Sequence, residues 1–152
     1  MLSKPKYGWS IITIGDWSDR CSFLTDVPFQ LLEAMCDSCK NHKPAAATFD
    51  AEGWDYTIVF DWLETHIIIS KDSFELKTIE INRDELVKEL VEDIRNNIDE
   101  WASWIDYGDI DEKSKQLRKE LLLAMCDDLM VFIPSDDLKV VYCRENSNNE
   151  VI

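Results

Sequence analysis

Glycine and histidine are scarce in this chain, and their scarcity excludes several common kinds of active site. Its 152 residues include four glycines and only two histidines, His42 and His66. Phosphate-binding and dinucleotide-binding loops need closely spaced glycines, and neither motif occurs. The G-x-S-x-G and H-E-x-x-H motifs are also absent, and neither histidine lies in a recognisable catalytic motif. The sequence therefore favours a protein that is not an enzyme and needs no cofactor.

Long apolar segments are absent as well. No run approaches the roughly 20 apolar residues of a membrane-spanning helix. The first residues, MLSKPKYGW, lack the apolar segment of a signal peptide. Five cysteines, an odd number, occur in a chain large enough to fold without disulfides, which favours reduced thiols. We expect a cytoplasmic protein that does not bind membranes.

Positive charge is in short supply. The 31 Asp and Glu residues outnumber the 16 Lys and Arg residues, which gives a net charge of −15. This charge repels phosphate backbones, so we expect no binding to nucleic acid. It attracts basic protein surfaces and speeds their encounter. The alternative is that the charge only keeps the protein soluble.

Bulky apolar residues are plentiful, and they predict an ordered α+β fold. A chain of this length buries about 68–70% of the surface that it exposes when unfolded. We predict a single domain over residues 1–143 and a flexible tail over residues 144–152. The expected architecture is an antiparallel β meander of about five strands packed against three helices, in the order β-α-β-β-β-β-α-α-β.

The first half of the chain supplies most of the predicted sheet. Residues 7–14 read as a strand that ends near Gly15, followed by a turn-like cluster, GDWSD. Asp26 as N-cap and Pro28 in the first turn predict an amphipathic helix over 27–41. From Ala45 to Ile81 the apolar period drops to two, which predicts four strands joined by short antiparallel connections.

One stretch in this region, DAEGWDYTIVFDW, places a large apolar residue at every second position. A binding surface and one wall of the core both fit such a stripe. A sheet accompanied by helices must cover at least one face with large apolar side chains, so we predict that the stripe belongs to the core. Its members are Trp54, Tyr56, Ile58, Phe60 and Trp62.

The second half reads as two long helices and a last strand. Asn82 is the predicted N-cap of a helix over 83–105 with one continuous apolar row. The next helix is predicted over 111–130, and the last strand over 135–143. The inward residues predicted for this second helix are Leu117, Leu121, Ala124, Met125 and Leu129.

Two metal sites were considered and rejected. Cys36, Cys39 and His42 have zinc-ligand chemistry, but on one helix they rotate apart and the sequence indicates no fourth ligand. A calcium loop that starts at Asp109 has Lys113 at its fifth position and lacks the glycine that the tight turn needs. We interpret the two cysteines as buried thiols.

The segment from Asp99 to Glu112, DEWASWIDYGDIDE, is the candidate binding site. It contains six carboxylates and no Lys or Arg, with Trp101, Trp104 and Tyr107 interleaved. If Trp101 faces inward, Trp104 or Tyr107 is left exposed among carboxylates, as in a hot spot for a basic partner. The alternative is that both rings pack on the sheet. The predicted partner-binding residues are Asp99, Glu100, Trp104, Asp106, Tyr107 and Asp109.

An acidic α+β domain with a meander, this acidic-aromatic segment and no catalytic motif resembles the immunity proteins of bacterial toxin systems. The resemblance implies tight binding to a cognate toxin, often a basic nuclease, and carries over no individual residue. Two other classes stay open. One is a small hydrolase or metal-dependent enzyme with a cleft lined by Cys21, His42 or His66, and the other is a scaffold whose exposed aromatic residues form a homodimer seam.

Overall fold

The computed structural model describes residues 1–104 and 110–134 and has an α+β fold, which confirms the predicted fold class. The described part contains six strands and four helices. The strands are β1 (Trp9–Ile14), β2 (Trp17–Ser22), β3 (Ala45–Asp50), β4 (Asp55–Phe60), β5 (Glu64–Ser70) and β6 (Phe74–Glu80). The helices are α1 (Val27–Asn41), α2 (Arg83–Asn96), α3 (Ile98–Ala102) and α4 (Glu112–Met130).

The N-terminal strands form a hairpin that is separate from the main sheet. β1 and β2 pair antiparallel, with Ile14 opposite Trp17, so the turn consists of Gly15 and Asp16 alone. The turn-like cluster predicted after Gly15 is therefore mostly strand. Gly15 has a positive φ of 57°, and a Cβ added there would lie 2.8 Å from Cγ2 of Ile79. The hairpin tip thus rests against β6 at a position that only glycine fits.

The predicted meander of four strands is confirmed. β3, β4, β5 and β6 are neighbours in chain order and pair antiparallel throughout. One face of this sheet packs against α1, which contacts β3 and β4, while α4 packs against the other three helices. The aromatic stripe of β4 lies on that covered face, with Tyr56, Ile58 and Phe60 at most 1% exposed. The stripe is a core wall, as predicted, although Trp62 beyond its end is 46% exposed.

The prediction of one continuous helix over 83–105 is wrong. Asn82 caps α2 as predicted, because its side chain accepts a hydrogen bond from the Asp84 N–H. The helix ends at Asn96, and Asn97 leaves the helical conformation with φ −126° and ψ 34°. The side-chain amide of Asn97 donates a hydrogen bond from Nδ2 to the backbone oxygen of Asp93 at 3.0 Å. This local bond competes with the helical backbone and separates α2 from α3.

α4 begins one residue after the predicted start at Asp111, which is its N-cap and accepts a hydrogen bond from the Ser114 N–H. Its predicted inward face is largely wrong: Leu117 and Leu121 are 57% and 48% exposed. The buried residues are Leu122, Cys126 and Leu129, of which Leu129 alone was predicted. The predicted last strand and the tail over 144–152 lie outside the described residues. None of the helices that the structure describes has the length and apolarity needed to cross a membrane.

Candidate binding surfaces

The candidate binding segment contains two tryptophans, and both pack inside the protein. Trp101 is fully buried and Trp104 is 5% exposed, with their ring centroids 5.1 Å apart. The indole N–H of Trp104 donates to the backbone oxygen of Thr25 at 2.9 Å, which anchors α3 to the loop before α1. The expectation that Trp104 is exposed is therefore wrong, because breaking the helix at Asn97 changes which face of this segment meets the core.

The two carboxylates that precede these rings, of which Asp99 is exposed and Glu100 half-buried, already have partners in the chain. Asp99 accepts a hydrogen bond from Nζ of Lys119 at 2.8 Å, and Glu100 lies 2.6 Å from Nζ of Lys4. These hydrogen bonds are the main reason that the pKa of each carboxyl lies below its ordinary value. Asp106, Tyr107 and Asp109 lie outside the described residues, so the assignment of the six residues to partner binding stays a prediction.

A partly buried ion pair holds α4 against the start of α1. Both amino groups of the Arg118 guanidinium donate to Asp26, one of them to Oδ2 at 2.8 Å. Its Nε donates to the backbone oxygen of Trp101 at 3.3 Å. The Arg118 side chain is 11% exposed and that of Asp26 25%. Arg118 is thus used in positioning three helices and is not available to a ligand.

The candidate zinc ligands do not form a site in the part of the chain that the structure describes, where no three metal-binding side chains converge. Cys39 is buried and Cys36 half-buried, and burial raises the pKa of both thiols, that of Cys36 to about 11. His42 ends α1 in a left-handed conformation and stacks on Trp62, with centroids 5.6 Å apart. The guanidinium of buried Arg83 covers Trp62, 4.4 Å from its ring centroid. His42, Trp62 and Arg83 thus form a stacked cluster at the end of α1.

The second face of the four-stranded sheet carries a surface that the sequence alone did not reveal. We call it the open face: it consists of the residues of β3–β6 that alternate with the core residues, and no described helix packs on it. Threonines occupy its middle, with the hydroxyls of Thr48 and Thr57 2.8 Å apart. His66 also points outward, as its place opposite Ile67 and Ile69 predicted, and its Nδ1 lies 3.0 Å from Oγ1 of Thr78.

Large apolar side chains cross the open face in a band. Ile68 is directly opposite Leu76. Phe74 lies two residues before Leu76 in the chain, on the same side of β6. Their exposed fractions are 36%, 67% and 83%, respectively. Val59, which is half-buried, continues the band on β4. We name these four residues the apolar band. Contiguous exposure of this kind on a soluble protein marks a contact surface more often than chance exposure does.

Carboxylates occupy two opposite corners of the open face. Asp50 is directly opposite Asp55 at one end of β3 and β4, and Glu64 is directly opposite Glu80 at the other end of β5 and β6. No lysine or arginine occupies an outward position on these four strands, all of which are described. We name Asp50, Asp55, Glu64 and Glu80 the acidic corners. Like charges directly opposite each other destabilise a sheet.

The alternating pattern of β6 contained part of the information needed to predict the open face. Phe74 and Leu76 share one side of β6, while Glu75 and Lys77 share the other. The charged side of β6 faces the core layer and the apolar side faces out, which reverses the usual rule for a strand with one covered face. Without the pairing register, sequence reasoning cannot assign the two sides.

No family model matches this chain, and no curated protein and no solved structure is detectably similar to it. The case for a function therefore depends on its own surface.

Proposed function

We propose that this protein is a non-enzymatic acidic binding protein that neutralises a basic protein partner in the cytoplasm, in the manner of an immunity protein or inhibitor. The partner presents lysine and arginine side chains, which the net charge of −15 attracts over a distance. Charge complementarity of this kind raises association rates and excludes partners of the wrong sign.

The observation that carries the proposal is the arrangement of the open face. The four carboxylates of the acidic corners stand in two like-charged pairs, and they border an exposed apolar band. A basic partner relieves the repulsion within each pair, and the apolar band supplies contact area that water leaves on binding. Solubility alone explains the charges, but it does not explain apolar side chains exposed between them.

The junction of α3 and α4 remains a second candidate surface for the same partner. Asp99 is exposed there and Glu100 is half-buried, and their present partners are Lys119 and Lys4. Ion pairs at or near the surface contribute little to stability, so a partner can replace them. Trp104 does not contribute a ring to this surface, because it is buried.

Affinity capture from cells that carry the protein tests the proposal. The immobilised protein is expected to retain a basic protein at low salt, and a column with an unrelated acidic protein of equal charge serves as the control. The retained protein is then purified, and its affinity is measured by calorimetry at about 50 mM and about 300 mM NaCl.

The proposal requires a stoichiometric complex whose affinity falls as salt increases, together with loss of the partner's own activity in the complex. Retention of no basic protein would contradict it. Equal retention on the control column would show that general charge attraction explains the capture.

A further inference from the structure

We infer that the open face is the docking site, and that its occupant is a basic amphipathic α-helix displayed by the partner. This inference rests on the proposed function and adds to it the surface and the shape of the group that binds. The argument depends on how the apolar band and the acidic corners are placed relative to each other.

The apolar band runs diagonally across the sheet. Val59 lies on β4, and Ile68 lies on β5 one outward position nearer to one end of the sheet. Leu76 on β6 is directly opposite Ile68, and Phe74 lies one outward position further towards the same end. With strands about 4.8 Å apart and outward residues about 7 Å apart along a strand, the band is about 17 Å long. This length equals about three turns of an α-helix. An apolar stripe on one side of a short helix therefore matches the band in length.

The acidic corners lie on opposite sides of this diagonal. The same spacings place the midpoint of the Asp50–Asp55 pair about 10 Å from the axis of the band on one side, and that of the Glu64–Glu80 pair about 10 Å away on the other. A helix with its side chains is about 10–12 Å across. Lysine and arginine on both flanks of a docked helix thus reach a pair of carboxylates on either side, with their stems lying along the sheet.

The pairing of the carboxylates supports a cationic occupant over an apolar one. A second copy of this chain would bring its own acidic corners, because a two-fold contact uses the same surface on both molecules. An occupant with lysine or arginine on both flanks instead places an opposite charge beside each like-charged pair. Charge complementarity therefore selects a basic partner.

A synthetic helix serves as the probe. It has about 16 residues, leucines at helical spacing on one side and lysines on both flanks. A peptide of the same composition, scrambled so that the leucines no longer share a side, is the control. Binding is measured by fluorescence anisotropy at low and high salt, and amide chemical shifts of the full-length protein locate the site without any substitution.

Two double variants test the apolar band and the acidic corners separately, and a third double variant is the control. Phe74→Ser with Leu76→Ser removes the exposed band, and Asp55→Asn with Glu80→Gln removes one carboxylate from each corner. Glu33→Gln with Glu75→Gln is the matched control, because it removes the same charge from exposed positions outside the open face. We expect about tenfold weaker binding for the first pair and a shallower salt dependence for the second, with the control within about twofold of wild type.

Several outcomes would overturn the inference. Equal binding of the scrambled peptide would mean that charge alone is recognised, and shifts centred on Asp99 and Glu100 would place the site at the helix junction. A dimer that dissociates on Phe74→Ser with Leu76→Ser would identify a second copy as the occupant. Tighter peptide binding by Val140→Ser with Val141→Ser would identify the chain's own segment 135–152.

The two proposals fail in different ways. If the captured basic protein still binds the Phe74→Ser, Leu76→Ser variant as wild type does, the docking site is wrong and the proposed function stands. If no basic protein is retained, the proposed function fails whatever the peptide does.

Discussion

Glu64 and Glu80 stand directly opposite each other on adjacent strands, with their side chains on the same face of the sheet. Neighbouring His66 places Nε2 3.8 Å from Glu64, but no lysine or arginine joins the pair on that face. Like charges directly opposite each other destabilise a sheet, and neutralising one partner removes this repulsion without changing the packing of either side chain.

Glu80→Gln is therefore expected to stabilise the isolated protein. The gain in the free energy of unfolding should be about 0.2–1 kcal/mol at low salt and should shrink as salt screens the repulsion. Urea denaturation at two salt concentrations measures it. Glu75→Gln is the matched control, since Glu75 lies on the same strand opposite Ile69 and faces no like charge. A loss of stability on Glu80→Gln would show that the pair is not repulsive.

Trp104→Phe is expected to destabilise the protein without weakening its binding to a basic partner. Phenylalanine keeps most of the ring but removes one of the two donors to the Thr25 backbone oxygen, which still accepts from the Val27 N–H at 2.9 Å. We therefore expect a loss of about 1 kcal/mol. Thermal unfolding measures the loss, and Trp62→Phe at a half-exposed ring is the control, with a smaller effect. Unchanged stability together with weaker partner binding would instead mean that Trp104 reaches the surface.

Arg118→Lys should cost more than the loss of a surface ion pair. Lysine keeps the charge but cannot donate to both oxygens of Asp26 and to the Trp101 carbonyl at once. We expect a loss of about 1–2 kcal/mol in the free energy of unfolding. Lys119→Ala, which removes the exposed pair with Asp99, should cost less than about 1 kcal/mol. Equal effects in chemical denaturation would contradict a positioning role for Arg118.

The buried thiol of Cys21 predicts a loss of stability in alkaline solution. Burial raises the pKa of this thiol to about 12 in the folded protein, from an ordinary value of 9.0. Its contribution is complete below about pH 9, where the unfolded thiol is still protonated, and is lost as the pH rises towards 12. Wild type should therefore lose about 1 kcal/mol more than Cys21→Ala between about pH 8 and pH 10. Urea denaturation at both pH values gives this difference, and parallel losses in the two proteins would exclude it.

The sequence predicted the elements whose signals are local. α1 occupies 27–41 as expected, and the four strands of the meander follow from a period of two with short connections. Asn82 and Asp111 were identified as residues that cap or begin helices, because side-chain capping depends on a few neighbouring residues. Each of these predictions uses information contained within one turn or one strand.

The errors concern features that depend on distant packing. β2 was missed because Trp17, Ser18 and Asp19 belong to a cluster that reads as a turn, and only pairing with β1 makes them a strand. α4 carries three leucines in succession at 121–123, so its period does not fix which one faces inward; contacts with α1, α2 and α3 select Leu122. The open face was missed for the same reason, because the register of β6 decides on which side Phe74 and Leu76 lie.

The charged side of β6 has a consequence for self-assembly. Among the described residues, β6 lies at the edge of the sheet. An exposed edge with apolar side chains is a template for fibrils. Lys77 points to the inner side of this strand and contacts Asp16 at the hairpin tip at 3.0 Å. Another sheet that added to this edge would have to accommodate that ammonium group in its own interior. β6 can thus bind a partner through its outward side chains, while its backbone edge is poorly suited to pairing with a strand of another molecule.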